Sequence, residues 1–250
     1  AEQGIGDLIQ FTRYLYLLQK KYKVEIILYV KSKKFSHFFD KKKFKIISEG
    51  DTIPPHDYHN HLLSLLKVFL RDDNLFCKPV NFFQKNKEAE EKWTLKLKKY
   101  KGPKIGINSL TSLSAKDIPM KYFMQLASNF DFNFIFLQKS INKNELKIIS
   151  NRKNLIYFPD IDSSDKAFID SIEIIKNLDL IITADTSIAH ISATLGKNTW
   201  IPLPFVSDWR WFLDENSSRW YNNVALYRSK KIDNWDTSFQ TIEKDLKKFF

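Results

Sequence analysis

The apolar positions of the chain follow two patterns in turn, the spacing of a helix and the continuous run of a buried strand. Apolar residues recur at helical spacing over residues 8–18, and an apolar run at 24–30 predicts a buried strand. A second strand is predicted at 44–48 and a second helix at 62–70. Strands that alternate with helices predict a parallel sheet covered by helices.

The second half of the chain repeats this alternation more regularly. It starts after a charged, helix-like segment, 85–101, which Gly102-Pro103 ends. Its predicted strands are 104–108, 133–137, 155–158, 180–183 and 199–203, and its predicted helices are 122–128, 145–150, 169–177, 188–195 and 241–250. We therefore predict an α/β protein of two doubly wound, Rossmann-like parallel-sheet domains, 1–101 and 102–250, with the last helix packing back across them.

Composition excludes several classes of protein. A length of 250 residues and a hydrophobic content of 43% are typical of one or two folded domains, and disorder is excluded. No run approaches about 18 consecutive apolar residues, and the start of the chain lacks the pattern of a signal peptide. Cys77 is the only cysteine, so an internal disulfide is excluded. These features predict a cytoplasmic protein.

The formal net charge of +11 leaves two interpretations open. The lysines are spread along the chain, and the dense groups at 41–43 and 96–101 fall where an exposed turn or helix end is expected, which favours a solvated surface. A nucleic-acid-binding α/β protein is the alternative. A basic field also attracts anionic nucleotides and membrane phospholipids, so peripheral membrane association is compatible with it.

The first candidate for chemistry is the Gly-Ile-Gly-Asp stretch that precedes the first helix. The chain has only six glycines, so Gly4 and Gly6 before Asp7 indicate a tight loop or a close approach to a ligand. A helix start with Asp7 as its N-cap is the simpler alternative. The stretch is neither a GxGxxG fingerprint nor a Walker loop, so no dinucleotide or ATP site is indicated. Such a loop normally follows a strand, and the first strand is expected to be missing or truncated here.

The second candidate is the strand, loop and helix at 179–196. The strand leads into Asp185, Thr186 and Ser187, and a helix that carries His190 follows at once. Free backbone N–H groups at a helix start, at the carboxyl edge of a parallel sheet, form an anion site. We therefore predict that this segment binds the phosphates of a nucleotide-linked ligand. His190 lies one turn further on, either as a ligand contact or as a packing histidine.

Three further groups have both a functional and a structural interpretation. Lys116 follows the strand 104–108 and is either a cation over the strand ends or one more exposed lysine. Trp209 and Arg210 follow the strand 199–203, where the tryptophan would stack on a base or sugar and the arginine would meet a phosphate. The alternative is a loop whose tryptophans fill the junction between the domains and the terminal helix. His56, His59 and His61 are close in sequence, but no cysteine supports them. We therefore expect a polar loop on the acceptor side there and no metal site.

Taken in order, these motifs resemble those of glycosyltransferases of the GT-B fold. The motifs are Gly-x-Gly-Asp at 4–7, Lys-x-x-Pro at 116–119 and Asp-Thr-Ser-Ile-Ala-His at 185–190, with Gly196 six residues after the histidine. They are similar to the heptosyltransferase-like family 9 and to the transferase domains of tetratricopeptide-repeat proteins. The segment 201–221, with its Asp-Trp-Arg-Trp stretch, resembles the repeat-associated group in particular.

The resemblance implies an enzyme that moves a sugar from a nucleotide-diphosphate sugar to an acceptor hydroxyl, with inversion and without a metal. The nucleotide sugar is then a co-substrate and no cofactor is expected; the acceptor is a glycan, a lipid-linked sugar or a protein, and no specific nucleic acid is expected. Heptosyltransferases have glycine where Ser187 stands, so the donor is not carried over as ADP-heptose. A non-catalytic module that binds a nucleotide sugar or a glycan is the alternative.

The resemblance also implies roles for individual residues. Asp7 matches the proposed general base, and Lys116 matches a lysine that contacts donor phosphate. The diphosphate and the donor sugar would be held by Asp185, Thr186, Ser187 and His190, and the nucleotide by Gln138 and Lys139. The expected residues of the cleft lining are Gly6, Gln10, His61, Ser64, Trp209 and Arg210.

Overall fold

The computed structural model describes residues 4–69, 78–112, 116–213 and 215–250. Its helices are α1 (Ile5–Tyr22), α2 (Leu65–Phe69), α3 (Lys87–Lys98), α4 (Met120–Asn129), α5 (Lys143–Ser150), α6 (Ile169–Lys176), α7 (Ser187–Thr194) and α8 (Asp236–Phe249). Its strands are β1 (Ile27–Val30), β2 (Lys45–Ser48), β3 (Lys104–Asn108), β4 (Asn133–Phe136), β5 (Leu155–Ile156), β6 (Leu180–Thr183), β7 (Thr199–Leu203) and β8 (Val224–Arg228). Short 3-10 helices cover Lys33–Phe38 and Trp209–Trp211.

The second half of the chain forms a six-stranded sheet with the order β5-β4-β3-β6-β7-β8. All neighbouring strands are parallel, as expected for strands connected by helices. Along the chain, the strands run outward from β3 through β4 to β5, and then from β6 through β7 to β8. The direction of winding therefore reverses between β3 and β6, which defines the topological switch point of a doubly wound sheet.

The first half carries a smaller sheet, in which β1 and β2 pair in parallel from Ile27 with Lys45 to Val30 with Ser48. The predicted strand 24–30 begins only at Ile27, because α1 extends to Tyr22 and Lys23 ends it in the left-handed conformation, with φ of 53°. The expectation of a truncated strand before α1 concerns positions outside the described residues. Position 70 of the predicted helix 62–70 also lies outside them.

One apolar core connects the two halves of the chain. Buried side chains of α1, β1 and α3 belong to the same cluster as those of β4, α6 and α7; Phe11, Trp93, Ile135 and Ile191 are examples. Gly102, at the predicted domain boundary, lies in a turn with φ of 75°. The division into domains 1–101 and 102–250 stays a prediction. None of the described helices is long and apolar enough to cross a membrane.

Candidate active site at the switch point of the sheet

The switch point brings together two loops that are far apart in sequence. Asn108 at the end of β3 pairs with Thr183 at the end of β6. The buried side chain of Asn108 donates through Nδ2 to the hydroxyl oxygen of Thr186, at 3.4 Å, and so ties the end of β3 to the loop after β6. Ligands of doubly wound sheets bind in the crevice at this place, outside the carboxyl ends of the strands.

Lys116 and Asp185 form an ion pair at this crevice, with 2.7 Å between Nζ and Oδ2. Asp208, from the segment after β7, lies 3.4 Å from the same ammonium group. Burial lowers the pKa of Lys116, but the hydrogen bond and the charges of Asp185 and Asp208 outweigh it and raise that pKa above its ordinary value. Lys116 is therefore a fixed cation at neutral pH.

Arg210 extends this ion pair into a cluster that crosses to the first half of the chain. Its Nη1 lies 2.6 Å from Oδ1 of Asp208, and its Nη2 pairs with Oδ1 of Asp7. Burial lowers the pKa of Arg210, but the carboxylates of Asp7 and Asp208 outweigh burial and raise that pKa above its ordinary value. We call these five residues, Asp7, Lys116, Asp185, Asp208 and Arg210, the ion-pair cluster.

Asp208 joins the two cations of the cluster and was not among the residues predicted from the sequence. Its Oδ1 also accepts a hydrogen bond from the backbone N–H of Arg210, at 3.2 Å, and so caps the 3-10 helix Trp209–Trp211. Burial raises the pKa of Asp208, but Arg210 and Lys116 outweigh burial and hold it below its ordinary value. The sequence did contain a signal for Asp208, because an aspartate that stands two residues before an arginine and follows a predicted strand is placed to pair with that arginine.

Asp7 lies in the first turn of α1, so the alternative in which it is the N-cap of this helix is wrong. Gly4 is the N-cap, and Oδ2 of Asp7 accepts a hydrogen bond from the N–H of Gly4, at 3.1 Å. The glycines do not form a tight loop either, because Gly6 is part of α1. A Cβ at position 6 would lie 3.0 Å from Cδ2 of His190 and 4.0 Å from the hydroxyl oxygen of Ser187. The close approach that the glycine permits is therefore to α7.

The first turns of two helices consequently meet beside the ion-pair cluster. Thr186 caps α7 by accepting a hydrogen bond from the N–H of Ile188, at 3.2 Å, and α7 begins at Ser187. Each helix start carries about half a positive charge, the positive end of the helix dipole. Together with Lys116 and Arg210, the two helix ends give this crevice the chemistry of an anion site.

Comparison with known proteins identifies the family. The family model of glycosyltransferase family 9 (heptosyltransferase) matches residues 14–200, which is most of the chain. The chain belongs to glycosyltransferase family 9. It is therefore a glycosyltransferase, and the crevice lies at the place where doubly wound sheets bind their ligands. A comparison with the curated proteins finds no match.

Solved structures of this family share the fold at low sequence identity. The family 9 glycosyltransferase of Veillonella parvula is 11% identical, with a TM-score of 0.67, and the match covers 99% of this chain and 94% of that one. E. coli heptosyltransferase WaaC with ADP-2-deoxy-2-fluoro heptose is 9% identical, with a TM-score of 0.55 and 97% of each chain covered. E. coli heptosyltransferase II is 12% identical with a TM-score of 0.49; the match covers 68% of this chain and 53% of that one. The fold is the GT-B fold, on the likeness to the Veillonella parvula glycosyltransferase and to WaaC.

His190 of this family 9 enzyme is buried beside the crevice. Its Nδ1 lies 3.0 Å from the hydroxyl oxygen of Tyr221, and its ring stacks on Trp211 with 5.7 Å between the ring centres. Burial lowers the pKa of His190 to about 4, so the imidazole is neutral at pH 7. These contacts favour its interpretation as a packing residue, and its role as a donor ligand stays a prediction.

Two other predicted positions contact neighbouring side chains of the cluster. Gln10 is fully buried, and its Oε1 accepts a hydrogen bond from Nε of Arg210, at 3.1 Å. Trp209 is 54% exposed, and its ring lies 4.7 Å from the guanidinium carbon of Arg210. The indole therefore forms part of the exposed rim next to the cluster, and its stacking on a ligand stays a prediction.

The remaining predicted positions lie outside the ion-pair cluster. Gln138 is buried, and its Oε1 accepts hydrogen bonds from the backbone N–H and the hydroxyl of Ser109, both at 2.9 Å, which fixes the end of β3. Lys139 is exposed. His61 and Ser64 lie in the turn before α2, where the carbonyl of His61 accepts from the N–H of Ser64. Within the described ranges, no group of three His, Cys, Asp or Glu side chains is arranged to hold a metal ion.

Proposed function

We propose that this enzyme transfers a sugar from a nucleoside-diphosphate sugar to an acceptor hydroxyl, and that the ion-pair cluster is its diphosphate site. The observation that carries the proposal is the meeting of Lys116, Arg210 and two helix starts at the switch point of the sheet. All four features attract anions. E. coli heptosyltransferase WaaC, which shares the fold, was solved with ADP-2-deoxy-2-fluoro heptose, a ligand of this chemical class.

The charges of the cluster imply an exchange of partners when the donor binds. Three carboxylates face two cations, and the two helix ends add about half a positive charge each, so the groups of the crevice are together close to neutral. A diphosphate therefore competes with Asp185 and Asp208 for Lys116, and with Asp7 and Asp208 for Arg210. Carboxylates that are released in this way accept hydrogen bonds from the hydroxyls of the donor sugar.

The same groups stabilise the transition state. Negative charge grows on the leaving diphosphate as its bond to the sugar breaks. Lys116 and the N–H groups at the start of α7 lie where that charge develops, and they need no reorganisation during the reaction. We propose that these groups replace a metal ion in this role.

Asp7 is proposed as the general base, and its ion pair with Arg210 sets a condition on that role. A carboxylate that is paired with a guanidinium is a weak base, because the positive charge stabilises its ionised form. Once Arg210 turns to the donor diphosphate, Asp7 is released to take the proton of the acceptor hydroxyl. Attack from the face opposite the leaving group then gives inversion. This coupling predicts that the donor binds before the acceptor reacts.

The cationic residues are tested by titration calorimetry with ADP, UDP and GDP. We expect at least one nucleoside diphosphate to bind, and Lys116→Met and Arg210→Gln each to weaken that binding about 10- to 100-fold, the worth of a charge-assisted hydrogen bond. Lys147→Met is the matched control, because Lys147 is an exposed lysine on α5. Absence of binding by all three nucleotides would contradict the proposal.

Asp7→Asn separates a transferase from a non-catalytic binding module. The variant should lose release of nucleoside diphosphate from the donor in the presence of acceptor. It should bind the nucleotide at least as tightly as the wild type, because Asp7 competes with the diphosphate for Arg210 and is not its ligand. Candidate acceptors for this assay are glycans, lipid-linked sugars and protein hydroxyls. Transfer that survives in Asp7→Asn would refute the assignment of the base.

A cytoplasmic enzyme is proposed, in keeping with the single cysteine of the chain.

A further inference from the structure

The two ring nitrogens of His190 have different surroundings. Nδ1 faces the core, where it lies 3.0 Å from the hydroxyl oxygen of Tyr221. The opposite edge of the ring, formed by Cδ2 and Nε2, faces the first turns of α1 and α7. A Cβ at Gly6 of α1 would lie 3.5 Å from Nε2 and 4.0 Å from the hydroxyl oxygen of Ser187. Nε2 therefore lies where the two helix starts meet beside the ion-pair cluster.

Nε2 is the nitrogen that a ligand in the crevice can reach. It makes no hydrogen bond within the part of the chain that the structure describes. It is not among the enclosed polar atoms without a partner, whereas Nε1 of the neighbouring Trp211 is. Burial lowers the pKa of His190, and the charges of Asp185, Arg210 and Asp208 modify this effect, so the imidazole is close enough to sense the cluster. A proton on Nε2 would therefore point to the proposed diphosphate site.

A neutral imidazole carries its proton on only one of its two nitrogens. His190 is neutral at pH 7, because burial lowers its pKa to about 4. Its proton is on Nε2 if the hydroxyl of Tyr221 donates to Nδ1, and on Nδ1 if that hydroxyl accepts. The direction of this single hydrogen bond decides whether His190 presents a donor or an acceptor to the crevice.

Arg13 of α1 favours one direction. Tyr221 is fully buried, and burial raises the pKa of its phenol more than the charge of Arg13 lowers it, so the hydroxyl keeps its proton. The guanidinium of Arg13 lies over the ring of Tyr221, 4.2 Å from the ring centre, and a guanidinium only donates. It attracts the phenol oxygen and repels the phenol proton. Because a buried O–H without an acceptor is costly, this proton is donated to Nδ1 of His190.

Arg13 is itself held in place by the backbone. It is buried, its Nε donates to the carbonyl oxygen of Gln10, at 2.9 Å, and its Nη1 donates to the carbonyl oxygen of Trp220. The indole of Trp220 donates in turn to the carbonyl oxygen of Arg210, at 2.6 Å. The orientation of Tyr221 is therefore fixed by the packing of α1 against the segment before β8.

We propose that Tyr221 is a positioning residue, which donates to Nδ1 of His190 and so holds the imidazole proton on Nε2, where it donates to the diphosphate. This inference rests on the proposed diphosphate site, but it concerns a residue that does not touch the ligand. The contacts that pack the imidazole thereby also orient one N–H toward the crevice. His190 serves as a neutral donor beside the two cations of the cluster.

Nuclear magnetic resonance of the full chain with isotope-labelled histidines tests the position of the proton. The nitrogen shifts distinguish a protonated ring nitrogen from a bare one, and the signals of His190 are those that disappear in His190→Gln. We expect a bare Nδ1 and a protonated Nε2 in the wild type at neutral pH. In Tyr221→Phe the bare Nδ1 loses its donor, and the positive helix starts favour a lone pair on Nε2, so the proton should move toward Nδ1.

Tyr227→Phe is the matched control for this spectrum. Tyr227 is a buried tyrosine of β8 whose hydroxyl lies 3.2 Å from Oδ2 of Asp245, and it makes no contact with His190 among the described residues. Its substitution should leave the nitrogen shifts of His190 unchanged. A proton on Nδ1 in the wild type, or unchanged shifts of His190 in Tyr221→Phe, would overturn the proposal.

Nucleotide affinity tests whether the oriented proton serves the ligand. By calorimetry with ADP, UDP and GDP, Tyr221→Phe should weaken nucleoside diphosphate binding about 10-fold, the worth of one hydrogen bond to a charged group. In a His190→Gln background the amide presents N–H groups without help from Tyr221, so the same substitution should change affinity less than about 2-fold. Equal losses in both backgrounds would show that Tyr221 does not act through His190 and would overturn the proposal.

The two measurements separate this proposal from the proposed function. The spectrum is recorded without a ligand and reports on Tyr221 and His190 alone. The expected spectrum together with no nucleotide binding by the wild type would support the hydrogen bond from Tyr221 and contradict the diphosphate site. Nucleotide binding together with a proton on Nδ1 would support the site and refute the role of Tyr221.

Discussion

Gly6 of α1 faces the imidazole of His190 in α7, so closely that a Cβ at position 6 would lie 3.0 Å from Cδ2 of the ring. This contact brings the start of α1, with Asp7 in its first turn, against the start of α7. Gly6 therefore allows the proposed base, Asp7, and the proposed diphosphate loop to lie close together. The arrangement of the crevice depends on the absence of a side chain there.

Gly6→Ala tests this contact through the sign of its effect. Within a helix, alanine is more favourable than glycine by about 1 kcal/mol, so the variant would be stabilised if the space were open. We expect destabilisation by about 1–3 kcal/mol instead, because overpacking pushes α1 away from α7. Urea denaturation gives the free energy of unfolding, and an increase on substitution would contradict the contact.

His190 makes stability depend on pH. Its pKa is about 4 in the folded protein and 6.5 in the unfolded chain, so the unfolded chain binds a proton first as the pH falls. Above pH 6.5 the neutral His190 does not reduce the free energy of unfolding. As the pH falls from 6.5 to about 4, this free energy decreases progressively, by roughly 3 kcal/mol in total. Unfolding free energies should be measured from pH 7.5 to 4.5.

His190→Gln is the matched variant for this measurement, because the half-buried His37 also has a pKa lowered by burial and contributes with the same sign. The difference between the pH profiles of wild type and His190→Gln isolates the contribution of His190. Identical slopes between pH 6.5 and 4.5 would show that His190 is not the group responsible.

Asp208→Asn should tighten binding of the nucleoside diphosphate. The asparagine Oδ1 still accepts from Arg210, so the 3-10 helix keeps its cap, while one carboxylate that competes with the ligand loses its charge. We expect an increase in affinity of up to about 10-fold, equal to 1.4 kcal/mol. Calorimetry measures the affinity, and Asp208→Ala, which also removes the cap, should bind more weakly than Asp208→Asn. Weaker binding by Asp208→Asn than by wild type would show that Asp208 positions the cations and does not compete with the diphosphate.

Asp170→Ala should strongly destabilise the packing of α3 on α6. Oδ1 of Asp170 accepts from the indole Nε1 of Trp93, at 2.5 Å, and its Oδ2 accepts from the N–H of Asp162, at 2.9 Å. Both donors are buried, so we expect a loss of about 2–4 kcal/mol. Lys92→Ala is the control, because the partly exposed Lys92 bonds to the same carboxylate and should cost less than about 1 kcal/mol. Similar losses in the two variants would contradict the role given to the indole.

The sequence was sufficient to predict most of the second half of the chain. Strands β3, β6 and β7 have the predicted bounds, because each is a fully or nearly fully buried apolar run whose ends are marked by polar residues or glycine. Strand β8 was not predicted, since its five residues include Arg228 and follow a long irregular segment. Its place in the sheet comes from pairing with β7, which a local pattern does not contain.

The ion-pair cluster was predicted in part, because sequence motifs mark residues but not their partners. Lys116 and Asp185 were both candidates, yet their contact spans 69 positions and depends on the order of the strands. Asp208 stands in a motif that was noted for its tryptophans and arginine, and its two cationic partners became visible only in the fold.

The continuous core between α1, α3, α6 and α7 has a consequence for cutting the chain. Fragments 4–101 and 102–250 would each expose an apolar face that the other covers in the intact protein, so each alone should aggregate. Produced together, they should find each other and restore the crevice without a covalent link at Gly102. Sugar transfer should therefore be absent from either piece alone and return when the two pieces are produced together.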